Sequence, residues 1–237
     1  MKMSSNEKIA ARLEKFRAAY IEMVQDIQAG KEMHVSISAG NIKMGSVPSV
    51  STLPIMTCPA LCRETCAADC YAAKIAALRP SVLKAYAKNT ALAILRPVQY
   101  WTEVRDAIAG SRFFRYHVSD EILNKAYFAE MVRSAVDYPH CDILAFTKRF
   151  DVVNAWIRDN GPLPQNLHIL FSGWENMTPD NPHGLPETAV VDADVSLARW
   201  DLPDGWKPCG GNCHDCATGC RGCFAAQTGD VIVFKKH

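Results

Sequence analysis

The first thirty residues carry apolar side chains at intervals of three and four, which is the spacing of one face of an α-helix. Gly30 follows this pattern and is a residue type that commonly ends helices. The pattern predicts a helix over residues 6–29, so we assign residues 1–30 to a leading helix. The apolar positions are Ile9, Leu13, Phe16, Tyr20, Met23 and Ile27.

Residues 31–200 alternate between short apolar runs and longer segments with helical spacing, and we assign them to a core. Strands separated by helices of ten or more residues favour a parallel sheet with right-handed crossovers. The predicted fold class is therefore α/β, either a partial βα (TIM-like) barrel or an open parallel sheet. Strands are predicted at 34–40, 112–119, 142–148, 166–174 and 188–194, and helices at 71–95 with a break at Pro80, 97–108, 121–138 and 150–160.

The segment 41–57 is rich in Ser, Pro and Gly and is predicted to be a long loop after the first strand. It leads into "CPALCRETCAADC", in which four cysteines recur at a constant interval of four. If residues 58–70 were one helix, the first and last thiols would be roughly 18 Å apart, too far for one metal centre. Either the segment is not helical throughout, as Pro59 allows, or its thiols serve more than one centre.

The last segment, residues 201–237, contains five more cysteines in "CGGNCHDCATGCRGC". We expect this tail to bind metal and to fold back near the loop after the first strand, so that both cysteine groups meet. Cys141 opens an apolar strand and is predicted to be a small buried hydrophobic residue. The candidate metal ligands are Cys58, Cys62, Cys66, Cys70, Cys209, Cys213, Cys216, Cys220 and Cys223.

Composition and charge indicate which binding partners and which cellular location to expect. The chain has 237 residues, 49% of them hydrophobic, and a formal net charge of +1, which gives no broad field for nucleic acid or anionic lipid. The N-terminus lacks the apolar segment of a secretory signal, and no apolar run reaches the length of a membrane span. We expect a cytoplasmic protein and no membrane partner.

In a reducing cytoplasm, clustered thiols favour metal binding over disulfides. Short gaps with glycine in the tail suit iron–sulfur clusters, either two 4Fe-4S clusters or one larger cluster. Zinc is the alternative, since Cys213 to Cys216 and Cys220 to Cys223 form two C-x2-C pairs, but only three residues part them.

In parallel sheets the functional groups gather at the carboxyl ends of the strands. Three polar residues at predicted strand ends are candidates for substrate binding and proton transfer: His117, Asp120 and Lys148. Our leading hypothesis is an iron–sulfur protein in which the clusters pass electrons to, or activate, an unknown small molecule. The alternative is a non-catalytic module, stabilised by zinc or clusters, that binds another protein or, through a local basic patch, nucleic acid.

Several motifs resemble those of the bacteriophage gene-product-88 family, from about residue 34 to the C-terminus and without the leading helix. They are "SISAGNIKMGSVPSVSTLP", "RYHVSDEI", "LAFTK", "LHILFSGW", "NPHGLP" and the closing cysteines with "VIVFKKH". This resemblance implies a phage or prophage origin and no particular reaction. If the chain is phage-encoded, we expect it in the host cell cytoplasm, and the protein partner of the non-catalytic alternative would be a host protein.

A more distant resemblance is to the radical S-adenosylmethionine enzymes, whose partial βα barrel carries C-x3-C-x2-C after the first strand. Here the spacing at that position is C-x3-C-x3-C, and the literal motif lies at residues 209–216 with Asp215 where the family usually has an aromatic residue. Both departures argue against S-adenosylmethionine as a cofactor.

Overall fold

The computed structural model describes residues 4–118, 120–175, 177–192, 194–198, 202–219 and 222–236. Their helices are α1 (Ser5–Gln28), α2 (Ala60–Glu64), α3 (Tyr71–Leu78), α4 (Pro80–Leu95), α5 (Pro97–Ala109), α6 (Lys125–Asp137), α7 (Phe150–Asn160) and α8 (Cys213–Thr218), with a 3-10 helix at Gly222–Ala225. The strands are β1 (Ser49–Val50), β2 (Phe113–Tyr116), β3 (Asp142–Thr147), β4 (Leu167–Ser172), β5 (Glu187–Val191), β6 (Trp206–Pro208) and β7 (Val231–Lys235).

Within the described residues, the seven strands form one sheet in the order β1-β2-β3-β4-β5-β7-β6. Every neighbouring pair is parallel, and β1 and β6 lie at the two edges. The mixed α/β class is therefore confirmed, and of the two predicted architectures the structure has the open parallel sheet.

The two faces of the sheet are covered by different parts of the chain. Alternate residues of β2 point to opposite faces, as the pleat of a strand requires: Phe114 packs with helices α1 and α3–α7, and Phe113 packs with the tail. Phe224 of the 3-10 helix lies against Phe113 with ring centroids 5.4 Å apart. The C-terminal tail thus folds back onto the core, on the face that the long helices leave open.

The predicted first strand, residues 34–40, is wrong, although the sequence there alternates as strands do. The segment makes one isolated bridge, between Ser38 and Ser49, and the first strand of the sheet is β1, inside the predicted loop. Side chains satisfy its backbone instead: the Ser36 N–H donates to the Asn89 side chain at 2.7 Å, and the Val35 N–H donates to Glu103 at 2.5 Å. With such partners, the segment lies beside the helices instead of entering the sheet.

Replacing Asn89 by alanine should lower the free energy of unfolding by about 2–3 kcal/mol, because each buried group left without a partner costs about 1–3 kcal/mol. Asn89 is 1% exposed, and its side-chain amide also donates to the carbonyls of Ser36 and Ser51, both at 2.9 Å. Urea unfolding measures the loss. Asn160→Ala, at the exposed end of α7, is the control and should change the unfolding midpoint little.

The other element boundaries agree with the sequence patterns to within a few residues, and the break at Pro80 separates α3 from α4. Strands β6 and β7 lie beyond the last predicted strand, and both belong to the segment assigned to the tail. In the described part of the chain, no helix has the length and apolar character needed to cross a membrane.

Candidate functional site

The loop that carries the first cysteine group is not one continuous helix. Helix α2 ends at Glu64, turns follow, and α3 begins at Tyr71 directly after Cys70. This is the first of the two alternatives that the cysteine spacing left open. The break allows the thiols to lie closer together than an unbroken helix would.

Three neighbouring thiols of this loop, Cys58, Cys62 and Cys66, form a row in which each influences the pKa of the next. The Cys66 thiol donates to the backbone carbonyl of Cys62 at 3.8 Å. The interaction of Cys66 with Cys62 stabilises the protonated Cys66 thiol, and burial disfavours its thiolate. Both effects raise the pKa of the Cys66 thiol. The interaction of Cys62 with Cys58, together with burial, likewise raises the pKa of the Cys62 thiol.

Backbone N–H groups also point at sulfur in this loop. The Ile55 N–H donates to Cys58 Sγ at 3.3 Å, and the Ala73 N–H donates to Cys70 Sγ at 3.4 Å. Ile55 adopts a φ of 66°, a left-handed conformation that is strained for a β-branched residue. Strained backbone of this kind concentrates at functional sites, and here it helps to direct an N–H group at a thiol.

Lys148 places a cation beside the row of thiols. It follows β3, its side chain is half-buried, and its Nζ donates to Ser172 Oγ at 2.9 Å. Burial lowers the pKa of Lys148, but the neighbouring Cys66 and Glu121 raise it by more, so the ammonium stays protonated. The carboxylate of Glu121 accepts the Lys148 backbone N–H and the Thr147 hydroxyl, and burial raises its pKa.

The structure brings two of the three predicted catalytic candidates together. His117 Nδ1 and Asp120 Oδ2 are 2.7 Å apart, and both side chains are fully buried. Asp120 also accepts the Thr52 N–H at 2.8 Å and the Thr52 hydroxyl. His117 has a φ of 54°, and its Nε2 is buried without a hydrogen-bond partner. The pair therefore holds Thr52 in the segment that leads into the cysteine loop, and its catalytic role stays a prediction.

The tail forms a second group of thiols. Cys213 begins α8, and Cys209, Cys213 and Cys223 share an apolar cluster with Phe113 and Phe224. Burial raises the pKa of Cys223 and of Cys209. Cys216 lies in α8, and Cys220 lies outside the described residues.

The tail contacts the loop before β1. The Cys213 N–H donates to the Lys43 carbonyl at 2.8 Å, and the Asn212 side chain donates to the Ile42 carbonyl at 3.1 Å. The described cysteines are free thiols, and Cys141 is fully buried as predicted. Across the ranges that the structure describes, no three His, Cys, Asp or Glu side chains stand in a geometry ready for a metal ion.

Two residues near the thiols are not among the predicted site residues. Glu121 follows Asp120 directly, so its place at a strand end was visible in the sequence. Arg115 interrupts the apolar run of β2, and its guanidinium donates to Cys213 Sγ at 3.3 Å. A basic residue inside a predicted core strand was the signal that could have identified it.

Fold and site together define a class: an open parallel α/β protein with two groups of free thiols, one at the carboxyl ends of the strands and one on the face that the tail covers. The gene product 88 family model matches residues 3–208, and the chain belongs to this family. No curated protein and no solved structure matches the chain.

The extent of the family match differs from the extent of the resemblance in the motifs. It includes the leading helix, which the motifs had left out, and it ends before the five cysteines of the tail. The relationship to radical S-adenosylmethionine enzymes finds no support in these comparisons.

Proposed function

We propose that the protein is an iron–sulfur protein whose working centre is held by the cysteine loop, residues 58–70. The observation that carries the proposal is the placement of thiols beside a half-buried cation: Cys58, Cys62 and Cys66 form a row next to Lys148, whose ammonium donates to Ser172 Oγ at 2.9 Å. Thiolate-bound iron–sulfur clusters carry net negative charge, so a neighbouring ammonium stabilises them.

The residues present fit such a group in their chemistry. Four thiols from one short segment match the ligand number of a single cluster. Backbone N–H groups that already donate to Cys58 and Cys70 are the hydrogen bonds by which proteins tune the potential of thiolate-bound iron. The thiol pKa values are raised in the metal-free protein, so a bound metal would have to displace their protons.

When bound, the cluster would supply one-electron chemistry. The chain's own residues would form the surroundings of the cluster. Asp120 accepts the Thr52 N–H in the segment that leads into the loop, and Lys148 keeps a positive charge at the carboxyl ends of the strands, where its ammonium donates to Ser172 Oγ. A small molecule at this strand-end rim would meet Lys148 first, because His117 and Asp120 are fully buried.

Full-length protein purified without oxygen should contain iron and acid-labile sulfide and show visible sulfur-to-iron charge-transfer absorption. Cys66→Ser should lose the iron and sulfide of the loop centre, because it removes a ligand. Cys141→Ser is the matched control: this cysteine is buried in the core away from both groups, so the variant should keep its iron. Iron, sulfide and zinc per chain are measured for all three proteins.

The proposal is wrong if the anaerobic protein contains no iron, or if Cys66→Ser retains as much iron and sulfide as the control. Stoichiometric zinc in a colourless protein would favour the alternative, a non-catalytic module in which zinc stabilises the fold and the surface binds a partner. The observation that favours this alternative is the depth of the His117–Asp120 pair, which has no exposed side-chain surface to offer a substrate.

A further inference from the structure

A cavity of about 830 Å³ lies between helices α5 and α6. Residues of α1, of α4 and of the segment that leads into the cysteine loop complete its lining, among them Tyr20, Ile94 and Thr57. Ile94 is 50% exposed and Val98 of α5 is 81% exposed, so the cavity opens to solvent. Its volume falls within the roughly 300–1,000 Å³ of sites that bind small molecules.

Helices α5 and α6 line the cavity with matching faces. On α5 the lining residues Val98, Trp101 and Arg105 recur at three and four positions, as residues of one helical face do. On α6, Tyr127 lies against Trp101 with ring centroids 4.7 Å apart. Glu130, one turn further along α6, accepts a hydrogen bond from Arg105. The cavity therefore changes along its length from an apolar end at Val98, through an aromatic floor, to a charged end.

The aromatic floor, formed by Trp101 and Tyr127, is held in place by the packing beneath it. Each of the two side chains is 4% exposed. The hydroxyls of Tyr127 and Tyr100 are 2.7 Å apart, and the rings of Tyr100 and Trp101 meet edge to face with centroids 5.3 Å apart. Rings fixed in this way offer a planar ring system a surface for stacking, with little further loss of side-chain entropy.

The charged end offers a cation with unused donors. The guanidinium carbon of Arg105 lies 5.9 Å from the centroid of the Trp101 ring, so this cation borders the aromatic floor. Among the described residues its one hydrogen-bond acceptor is Glu130, and its Nε is buried without a partner. Arg133, at the same end of the lining, lies 3.7 Å from Asp137. A guanidinium has five N–H donors, so Arg105 keeps donors for the oxygens of a second anion.

We propose that this cavity binds a small planar aromatic compound that bears an anionic group, with its rings on Trp101 and Tyr127 and its anion on Arg105. The apolar end of the cavity meets Thr57, which precedes Cys58, so the rings of the bound compound point toward the cysteine loop. The site is formed by helix residues and by the segment before Cys58, so it does not rest on the iron of the proposed function.

Two fluorescent probes with the same rings test the site on the full-length protein. Anilinonaphthalene sulfonate carries an anionic group and phenylnaphthylamine does not, and both fluoresce strongly when shielded from water. We expect one saturable site per folded chain, with the sulfonate bound roughly tenfold more tightly, because hydrogen bonds to a charged group are the stronger ones. Equal affinity for the two probes, or no saturable binding of either, would overturn the proposal.

Ala126→Trp tests the location of the site. Ala126 is an exposed residue of α6 that lines the cavity, so an indole at this position fills the space without entering the core. Binding of both probes should be lost while the unfolding midpoint stays that of the wild type. Ala10→Trp, at an exposed position of α1 outside the lining, is the matched control and should bind as the wild type does. Unchanged binding in Ala126→Trp would place the probes elsewhere and overturn the proposal.

Variants of the ion pair test the anion subsite. Arg105→Met should lower the affinity for the sulfonate to that for the uncharged probe, whose own binding should not change. Arg105→Lys keeps the charge and should restore part of the difference. A merely structural ion pair would weaken both probes alike when broken.

Glu130→Gln keeps the test decisive if Arg105→Met does not fold, and circular dichroism shows which variants are folded. The substitution removes the carboxylate that competes for Arg105, so affinity for the sulfonate should rise several-fold and affinity for the uncharged probe should stay the same. Sulfonate affinity that is unchanged or lower in folded Glu130→Gln would overturn Arg105 as the anion partner and the proposal with it.

Discussion

Replacing Asp120 by alanine should lower the free energy of unfolding by about 3–5 kcal/mol, because it leaves three buried hydrogen-bonding groups without their partner and each costs about 1–3 kcal/mol. The variant would leave His117 without its partner at 2.7 Å and the Thr52 N–H without its acceptor at 2.8 Å. Because both side chains are fully buried, water cannot replace the lost carboxylate without opening the structure. Denaturant unfolding at neutral pH measures the loss.

The effect should extend to the cysteine loop, since Asp120 holds Thr52 in the segment that leads into it. Thr52 and Thr57 share a side-chain contact of 3.3 Å, and Thr57 precedes Cys58. We therefore expect Asp120→Ala to reduce metal retention as well as stability. Asp120→Asn keeps an acceptor for Thr52 and should lose less of both. An alanine variant within 1 kcal/mol of the wild type would show that the pair does not hold this region.

The sequence predicted the sheet best where strands are long and apolar. β3 and β4 are six residues each, and their apolar runs are bounded by polar residues and helices, so the pattern located them closely. β1 has two residues, too few for any periodicity to reveal. Segment 34–40 shows the reverse case, in which alternation predicted a strand but the hydrogen bonds of Asn89 and Glu103 replaced the strand pairing.

The candidate site was predictable in its residue types and less so in its arrangement. His117 and Asp120 are three residues apart after one strand, so their contact was within reach of the sequence. Arg115 was not, because a single basic residue in a strand does not reveal which side chains the distant tail will bring to it. Contacts such as that between Arg115 and Cys213 join positions far apart in the chain and depend on the complete fold.

Replacing Phe224 by alanine should lower the free energy of unfolding by about 3–5 kcal/mol, because it removes a large buried ring and leaves a cavity. Phe224 is 2% exposed, and its ring centroid lies 5.4 Å from that of Phe113 and 5.8 Å from that of His168. It joins the tail to two strands of the sheet, β2 and β4. Thermal and urea unfolding of the full chain measure the effect, with Ile42→Ala, at a 95% exposed position, as the control.

This prediction also tests whether the chain beyond the family match is part of the fold. The match ends at residue 208, yet β7 lies between β5 and β6 in the sheet, and Phe224 covers the same face as Leu144 and Leu170. If the tail were an appendage, the alanine variant would unfold at the wild-type midpoint and only the tail would become sensitive to protease. We expect instead one cooperative transition at a lower midpoint, because loss of this ring weakens the packing of the whole sheet against its tail.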